Sequence, residues 1–259
     1  RDKPVVFDRC LVARRNGRGM INMADADTYQ DVNPSAAAAG PRMQEKDPIM
    51  SVETVDTLVV GAGQAGVAVS EHLSRNGVPH LVLERNRIAE RWRSERWDSL
   101  VANGPAWHDR FPGMEFASDP DAFVGKENVA DYFVAYAEKF NAPIRCGVEV
   151  RNVERNVGRP GFRVETSQGV IEARNVIAAT GPFQRPIIPA VVPESAGVVQ
   201  MHSNHYRNPG QLPEGAVLVV GAGSSGVQIA DELVRAGKRV YLSVGPHDRP
   251  PRAYRGRDF

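Results

Sequence analysis

The sequence predicts an α/β protein built from two Rossmann-like units with parallel strands. Three observations predict it. The stretch "VDTLVVGAGQAGVAVSEHLSRNG" carries an apolar run into a glycine turn and then into residues at helical spacing. The pattern returns further along as "AVLVVGAGSSGVQIADELVRAG". Each helix is followed by a second short strand, residues 80–83 and 239–243. A repeat of strand, glycine turn, helix and strand marks a doubly wound sheet with parallel strands.

The chain before the first unit offers no such pattern. Residues 1–49 combine a basic cluster (Arg14, Arg15, Arg18), an Ala36–Ala39 run and Pro34, Pro41 and Pro48, and no period holds. They read as a disordered tail. Asp25, Asp27 and Asp31 argue against a transit peptide. Met50 stands where a natural start is expected, which makes the tail dispensable or an upstream translation artefact.

In the first unit Val55 and Leu58–Val60 give a buried strand. Val67, Val69, His72 and Leu73 give the helix, and Asn76–Gly77 stop it. The turn fits the dinucleotide fingerprint G-x-G-x-x-G. Gly61 makes the turn, Gly63 admits a pyrophosphate to the backbone, and Gly66 lets helix and strand pack closely. The helix N-terminus aims free N–H groups at the phosphates. Glu84 ends the second strand, where an acid takes ribose hydroxyls and repels a 2′-phosphate, so the ligand is FAD or NAD.

Residues 85–116 are rich in Arg, Trp and turn residues and pass over the cofactor. Arg85 stands at the head of this stretch, Arg91 or Arg93 suits pyrophosphate charge, and Trp92 suits the ring side. Trp97 and Trp107 read as core anchors. Residues 127–141 form an amphipathic helix with Val129, Phe133, Tyr136, Ala137 and Phe140 on one face. Residues 144–146 give a third parallel strand. "VEVRNVERN", "FRVETS" and "VIEAR" give an antiparallel excursion turning at Gly161 and Gly169. "NVIAATG" is a further strand, and Pro182, Pro186, Pro189 and Pro193 mark a linker.

The second fingerprint has Gly221, Gly223, Ser224, Ser225 and Gly226. Its second strand ends in Ser243 instead of an acid, and Arg249, Arg252, Arg255 and Arg257 follow, which favours a 2′-phosphate and hence NADP. The expected division is a tail over 1–49, an FAD-binding part over 50–182, and a linker with the start of an NAD(P)H-binding part over 183–259.

Bulk properties remove several classes. The 259 residues carry a net charge of +1, so no global field favours nucleic acid or an acidic membrane. Cys10 and Cys146 lie far apart and outside any CxxC, which excludes a disulfide framework, a zinc site or a redox dithiol. His202 and His205 lack further ligands, so no metal is expected. No apolar run approaches a membrane span and no secretory leader is visible, so a cytoplasmic protein is expected.

Two fingerprints, an "ATG" between them and a Trp-bearing segment after the first unit resemble the class B flavoprotein monooxygenases over residues 51–259. The resemblance implies a glutathione-reductase-like FAD domain with a truncated NADP domain, and hence a fragment. It places FAD on Gly61, Gly63, Gln64, Ala65, Gly66 and Glu84, adenine on the backbone of Val150, and the flavin against Thr180 and Gly181. It places NADPH on Gly221, Gly223, Ser224, Ser225 and Gly226. Asn103 matches an active-site Asn facing the flavin, the candidate catalytic residue; the residues alone read equally as a turn before Gly104–Pro105. The implied reaction has NADPH reduce FAD, and a flavin peroxide adduct then oxygenates a small organic substrate. The family signature before the second fingerprint is degenerate: "AGVVQMHSNHY" keeps His202 and Tyr206 but has Ala196 and Val198 where Phe and Gly belong. Tyr206 leans toward the flavin-containing or N-hydroxylating branch. A flavin reductase without oxygen transfer, or an inactive nucleotide-binding fragment, shares the cofactor motifs.

Overall fold

The computed structural model describes residues 5–8, 52–183, 185–193, 196–246, 253–254 and 256–258. The elements in order are β1 (Val5–Asp8), β2 (Glu53–Val60), α1 (Gln64–Arg75), β3 (His80–Glu84), α2 (Glu90–Ser94), α3 (Ala106–Asp109) and α4 (Lys126–Lys139). They continue as β4 (Ile144–Cys146), β5 (Val150–Arg155), β6 (Phe162–Thr166), β7 (Gly169–Ala178), β8 (Val199–His202) and β9 (Val217–Val220). The last are α5 (Ser224–Arg235), β10 (Val240–Ser243), β11 (Ala253–Tyr254) and β12 (Arg257–Asp258).

A six-stranded sheet runs β4-β3-β2-β7-β6-β5, and a four-stranded sheet runs β10-β9-β1-β8. The short β11 and β12 pair antiparallel. The β4, β3, β2 and β7 strands are parallel neighbours, while β5 and β6 add an antiparallel excursion. Side chains alternate across β2 and β3, as a strand requires. Leu58 and Leu83 join Val148, Val164 and Ile171 in one core, and Val59 and Val82 join Ala62 and Ala179 in another. Burial on both faces explains the unbroken apolar run in β2.

Two expectations change. The stretches read as "VIEAR" and "NVIAA" are one strand, β7, which pairs with β2 from Glu53↔Ile171 to Val60↔Ala178. Its first half also pairs antiparallel with β6, so one strand serves both the parallel sheet and the excursion. The polar "EARN" in its middle resembled a break because Arg174 and Asn175 are exposed. Also, Val5–Asp8, where no element is expected, forms a parallel strand between β8 and β9. Four residues are too short to show a period. The rest of the expected tail lies outside the described residues.

The α4 helix closes the first unit with aromatic rings. Phe111 stacks on Phe133 at 5.2 Å and meets Tyr136 edge-on at 4.8 Å. Tyr132 and Tyr136 donate their hydroxyls to the carbonyls of Met114 and Pro112, which pins the irregular 110–116 stretch to the helix. Trp97 is buried as expected, in the core of the second sheet with Tyr206, Val217, Ile229 and Leu233. Trp107 is half-buried and stands edge-on to His108 instead of entering a core.

Candidate functional site

The first turn is shaped by two close approaches. Gly61 has φ +102°, and a Cβ there would stand 2.7 Å from the Ala179 carbonyl oxygen at the end of β7. A Cβ on Gly66 would stand 1.8 Å from the Gly61 carbonyl oxygen. Both distances lie inside van der Waals contact, so the helix meets the strand only without side chains. Gly63 differs: a Cβ there meets nothing within 4 Å. Its face is free for a ligand, beside the N-terminus of α1, whose first N–H groups have no partner in the helix.

Glu84 completes this turn. Its Oε2 accepts from the Ala62 N–H and its Oε1 from the Asn86 N–H, each at 2.9 Å. These bonds fix the carboxylate, and each oxygen keeps a lone pair for a hydroxyl. The Gly61 N–H donates to the Leu83 carbonyl at 2.7 Å, which sets the turn against β3.

A cavity of about 780 Å³ opens here. It gathers Gly61, Gly63, Gln64, Ala65, Glu84, Arg85, Arg91, Trp92, Val150, Thr180 and Gly181, residues drawn from five separate stretches of chain. Gly66 lies behind the wall, buried against Gly61. Between Arg91 and Arg93 the structure chooses. Arg91 lines the cavity, bonded to Glu95 at 2.5 Å and to the Phe183 carbonyl. Arg93 points away, to Glu127 and Asp131 at 3.0 and 2.7 Å. Trp92 stands edge-on to Phe133 at 6.0 Å, half in the wall and half in the α4 core. At the rim, Arg87 beside Glu90 holds that carboxyl below the usual range.

Sequence reasoning missed Arg96, Phe111 and Phe183 in the wall. The Arg96 guanidinium lies over the Phe183 ring at 5.8 Å. The only available signal was their place beside Trp92 and Gly181, the ends of motifs already identified.

The second turn repeats the first. A Cβ on Gly226 would stand 1.9 Å from the Gly221 carbonyl oxygen, and one on Gly223 would meet nothing within 4 Å. Ser224 and Ser225 open α5. The Gly221 N–H donates to the Ser243 carbonyl at 2.9 Å. Strand register pairs Val220 with Ser243, as it pairs Val60 with Leu83. Ser243 therefore corresponds to Leu83, and the counterpart of Glu84 is Val244, one residue later. Val244 is exposed and carries no acid. Arg249 and Arg252 lie outside the described residues.

Asn103 is exposed and is not among the residues lining the first cavity. Its Oδ1 lies 3.5 Å from Gln228 Nε2, on the helix of the second turn. The 94–103 segment thus crosses between the two sheets. Asp98 N–H donates to the Arg207 carbonyl at 2.7 Å, and Asn208 Nδ2 to Asp98 at 2.7 Å. The end of the degenerate signature and the two residues after it therefore dock on this segment: Asn204 and Arg207 also bond Glu95 and Ser94. His202 Nδ1 accepts from the Asn204 N–H at 3.1 Å, a local turn bond. Among the described residues no cluster of metal-ligating side chains occurs, and no helix is long and apolar enough to cross a membrane.

Comparison with known proteins agrees with this geometry. A pyridine nucleotide-disulphide oxidoreductase family model matches residues 58–252. An uncharacterised oxidoreductase CzcO-like protein of Geobacillus kaustophilus is 45% identical over 193 residues, covering 74% of this chain and 54% of that one. Indole-3-pyruvate monooxygenase YUCCA1 of Oryza sativa subsp. japonica is 31% identical over 191 residues, covering 72% and 47%. A flavin-containing monooxygenase structure from Stenotrophomonas maltophilia superposes with a TM-score of 0.68 at 26% identity, covering 76% of this chain and 59% of that one. The chain spans about half the length of the curated relatives it matches. With two copies of one glycine turn, one of them facing a walled cavity, the chain belongs to the pyridine nucleotide-disulphide oxidoreductase family, in its flavin-monooxygenase-like branch.

Proposed function

We propose that the chain is the nucleotide-binding part of an FAD- and NADPH-dependent flavoprotein monooxygenase. The observation that carries this is the duplicated turn: in each, a Cβ on the third glycine would stand 1.8 or 1.9 Å from the first glycine's carbonyl oxygen, and the middle glycine is bare. The residues present fit FAD at the first turn. The bare face of Gly63 and the N-terminus of α1 receive the pyrophosphate. Glu84, already fixed by two backbone N–H groups, accepts the ribose hydroxyls. Val150 stands at the far wall for adenine, and Thr180 and Gly181 stand at the strand end for the ring system. Trp92 and Phe111 shield that region from water.

When bound, the flavin supplies hydride acceptance and oxygen activation, chemistry that belongs to the cofactor. The chain contributes position and exclusion of water. At the second turn Val244 replaces the acid, which removes the repulsion a 2′-phosphate would meet and favours NADPH over NADH. The flavin-monooxygenase relatives support oxygen transfer to a small molecule. The test uses the whole protein: FAD stoichiometry, then NADPH and NADH oxidation under oxygen with candidate nucleophiles and carbonyl compounds. An oxygenated product formed with NADPH consumption supports the proposal. Peroxide equal to the NADPH used, with no oxygenated product, makes the protein a flavin reductase.

A further inference from the structure

Val101 occupies an unusual edge. Its neighbours Leu100 and Ala102 pair with the 124–126 segment: Ala102 N–H donates to the Val124 carbonyl at 2.8 Å, and Lys126 N–H to the Leu100 carbonyl at 3.0 Å. Backbone groups alternate along an extended chain, so the N–H and C=O of Val101 face the other way. Among the described residues no strand pairs with them there. One side-chain amide meets both groups. Gln228 Oε1 accepts from the Val101 N–H at 3.3 Å, and Gln228 Nε2 donates to the Val101 carbonyl at 3.2 Å. The same Nε2 reaches Asn103 Oδ1 at 3.5 Å. A primary amide carries one acceptor and a pair of donors, so it substitutes for the missing peptide.

Gln228 stands two residues after Gly226, in the opening of α5. On the other side of Asn103, Gly104 N–H is held by Asp109 Oδ2 at 3.1 Å. Asn103 is therefore fixed on one side from its own segment and on the other from the helix of the second turn.

We propose that Gln228 is a positioning residue that ties the second phosphate-binding helix to the Val101–Asn103 segment, so that nucleotide at the second turn tightens that segment. The inference rests on the nucleotide reading above. Gln228 is half-buried and outside the hydrophobic clusters, so its replacement leaves the core intact.

The test is hydrogen exchange of the whole protein, with and without NADP⁺, in the parent, Gln228→Ala and Gln228→Glu. In the parent, NADP⁺ should raise protection at both 223–226 and 100–104. In Gln228→Ala, Val101 should lose about tenfold in protection, the scale set by losing a bonded partner. Its response to NADP⁺ should vanish, while 223–226 still responds. In Gln228→Glu the protonated acid keeps donor and acceptor, so protection at Val101, corrected for intrinsic exchange, should return as pH falls below about 4. A filler role alone gives no such pH dependence. Unchanged Val101 protection in Gln228→Ala overturns the proposal. So does a parent whose 223–226 amides respond while 100–104 do not. If 223–226 never responds, the nucleotide reading fails, and the coupling fails with it.

Discussion

Gly63 and Gly66 lie in one turn, yet the structure assigns them opposite reasons for lacking a side chain. In Gly66→Ala the new Cβ would begin 1.8 Å from the Gly61 carbonyl oxygen and 2.9 Å from its carbon. The obstacle is backbone, and relief requires α1 to retreat from β2 by roughly 1 Å or more. Such overpacking costs about 3 kcal/mol or more. For a protein of this size that corresponds to a melting temperature lower by about 6–12 °C. In Gly63→Ala the methyl meets nothing within 4 Å, and φ −83°, ψ −165° suits any residue. Alanine is a poorer N-cap than glycine, but it also restricts the unfolded chain, so stability should move by less than about 1 kcal/mol. The methyl instead occupies the face assigned to pyrophosphate. Thermal melts of the apoprotein and FAD titrations by flavin fluorescence separate the two. Gly66→Ala should lose stability and FAD together. Gly63→Ala should melt within about 3 °C of the parent and bind FAD at least tenfold more weakly, about 1.4 kcal/mol. Parent-like FAD affinity in Gly63→Ala would refute the placement of pyrophosphate. A parent-like melt in Gly66→Ala would refute the packing argument.

Glu84→Gln presents one carbonyl oxygen to two backbone donors, so either Ala62 or Asn86 N–H faces an amide NH₂. It should cost about 1–2 kcal/mol in urea unfolding and weaken FAD by about tenfold. FAD affinity equal to the parent's would show that Glu84 does not hold the ribose. Burial pushes the Tyr206 hydroxyl up, reinforced by its 2.6 Å bond to Glu232, and burial takes Tyr136 to about 12. A phenol raised in the fold contributes stability that is complete below the ordinary value near 10 and is lost as pH rises above it. Urea midpoints should therefore fall between pH 9.5 and about 12, less so in a Tyr136→Phe, Tyr206→Phe double variant, and a flat parent profile would contradict this.

The βαβ units were legible because their signals are local. A glycine turn between an apolar run and a 3.6-residue period needs no tertiary information. The α4 helix was legible for the same reason. What was not legible depends on pairing partners. The strand β7 looked like two because Arg174 and Asn175 in its middle are exposed, between the buried Ile171 and Ala173 and the half-buried Val176 and Ile177. The choice between Arg91 and Arg93 depends on Glu127 and Asp131, more than thirty residues away. Both Trp97 and Trp107 read as core anchors, and packing against the second sheet decides that Trp97 is one.

The comparison of Ser243 with Glu84 shows how counting along the sequence and counting by strand register pick different residues. Counting along the sequence ends the second strand at Ser243. Register is set by backbone pairing, and the first glycine of each turn provides the common origin. Gly61 N–H bonds Leu83, and Gly221 N–H bonds Ser243. From that origin the position proposed for the ribose is one residue further on, Glu84 in one unit and Val244 in the other. A one-residue slip turns a strand side chain to the opposite face, so a substitution at Ser243 would probe the wrong side of the sheet. Neither Ser243 nor Val244 is acidic, so the proposed preference for a 2′-phosphate does not depend on which of them is counted. Two turns with the same glycine packing thus differ in charge at one register position: Glu84 is a carboxylate held by two backbone donors, whereas Val244 is uncharged, and on the proposed reading only the first would repel a 2′-phosphate.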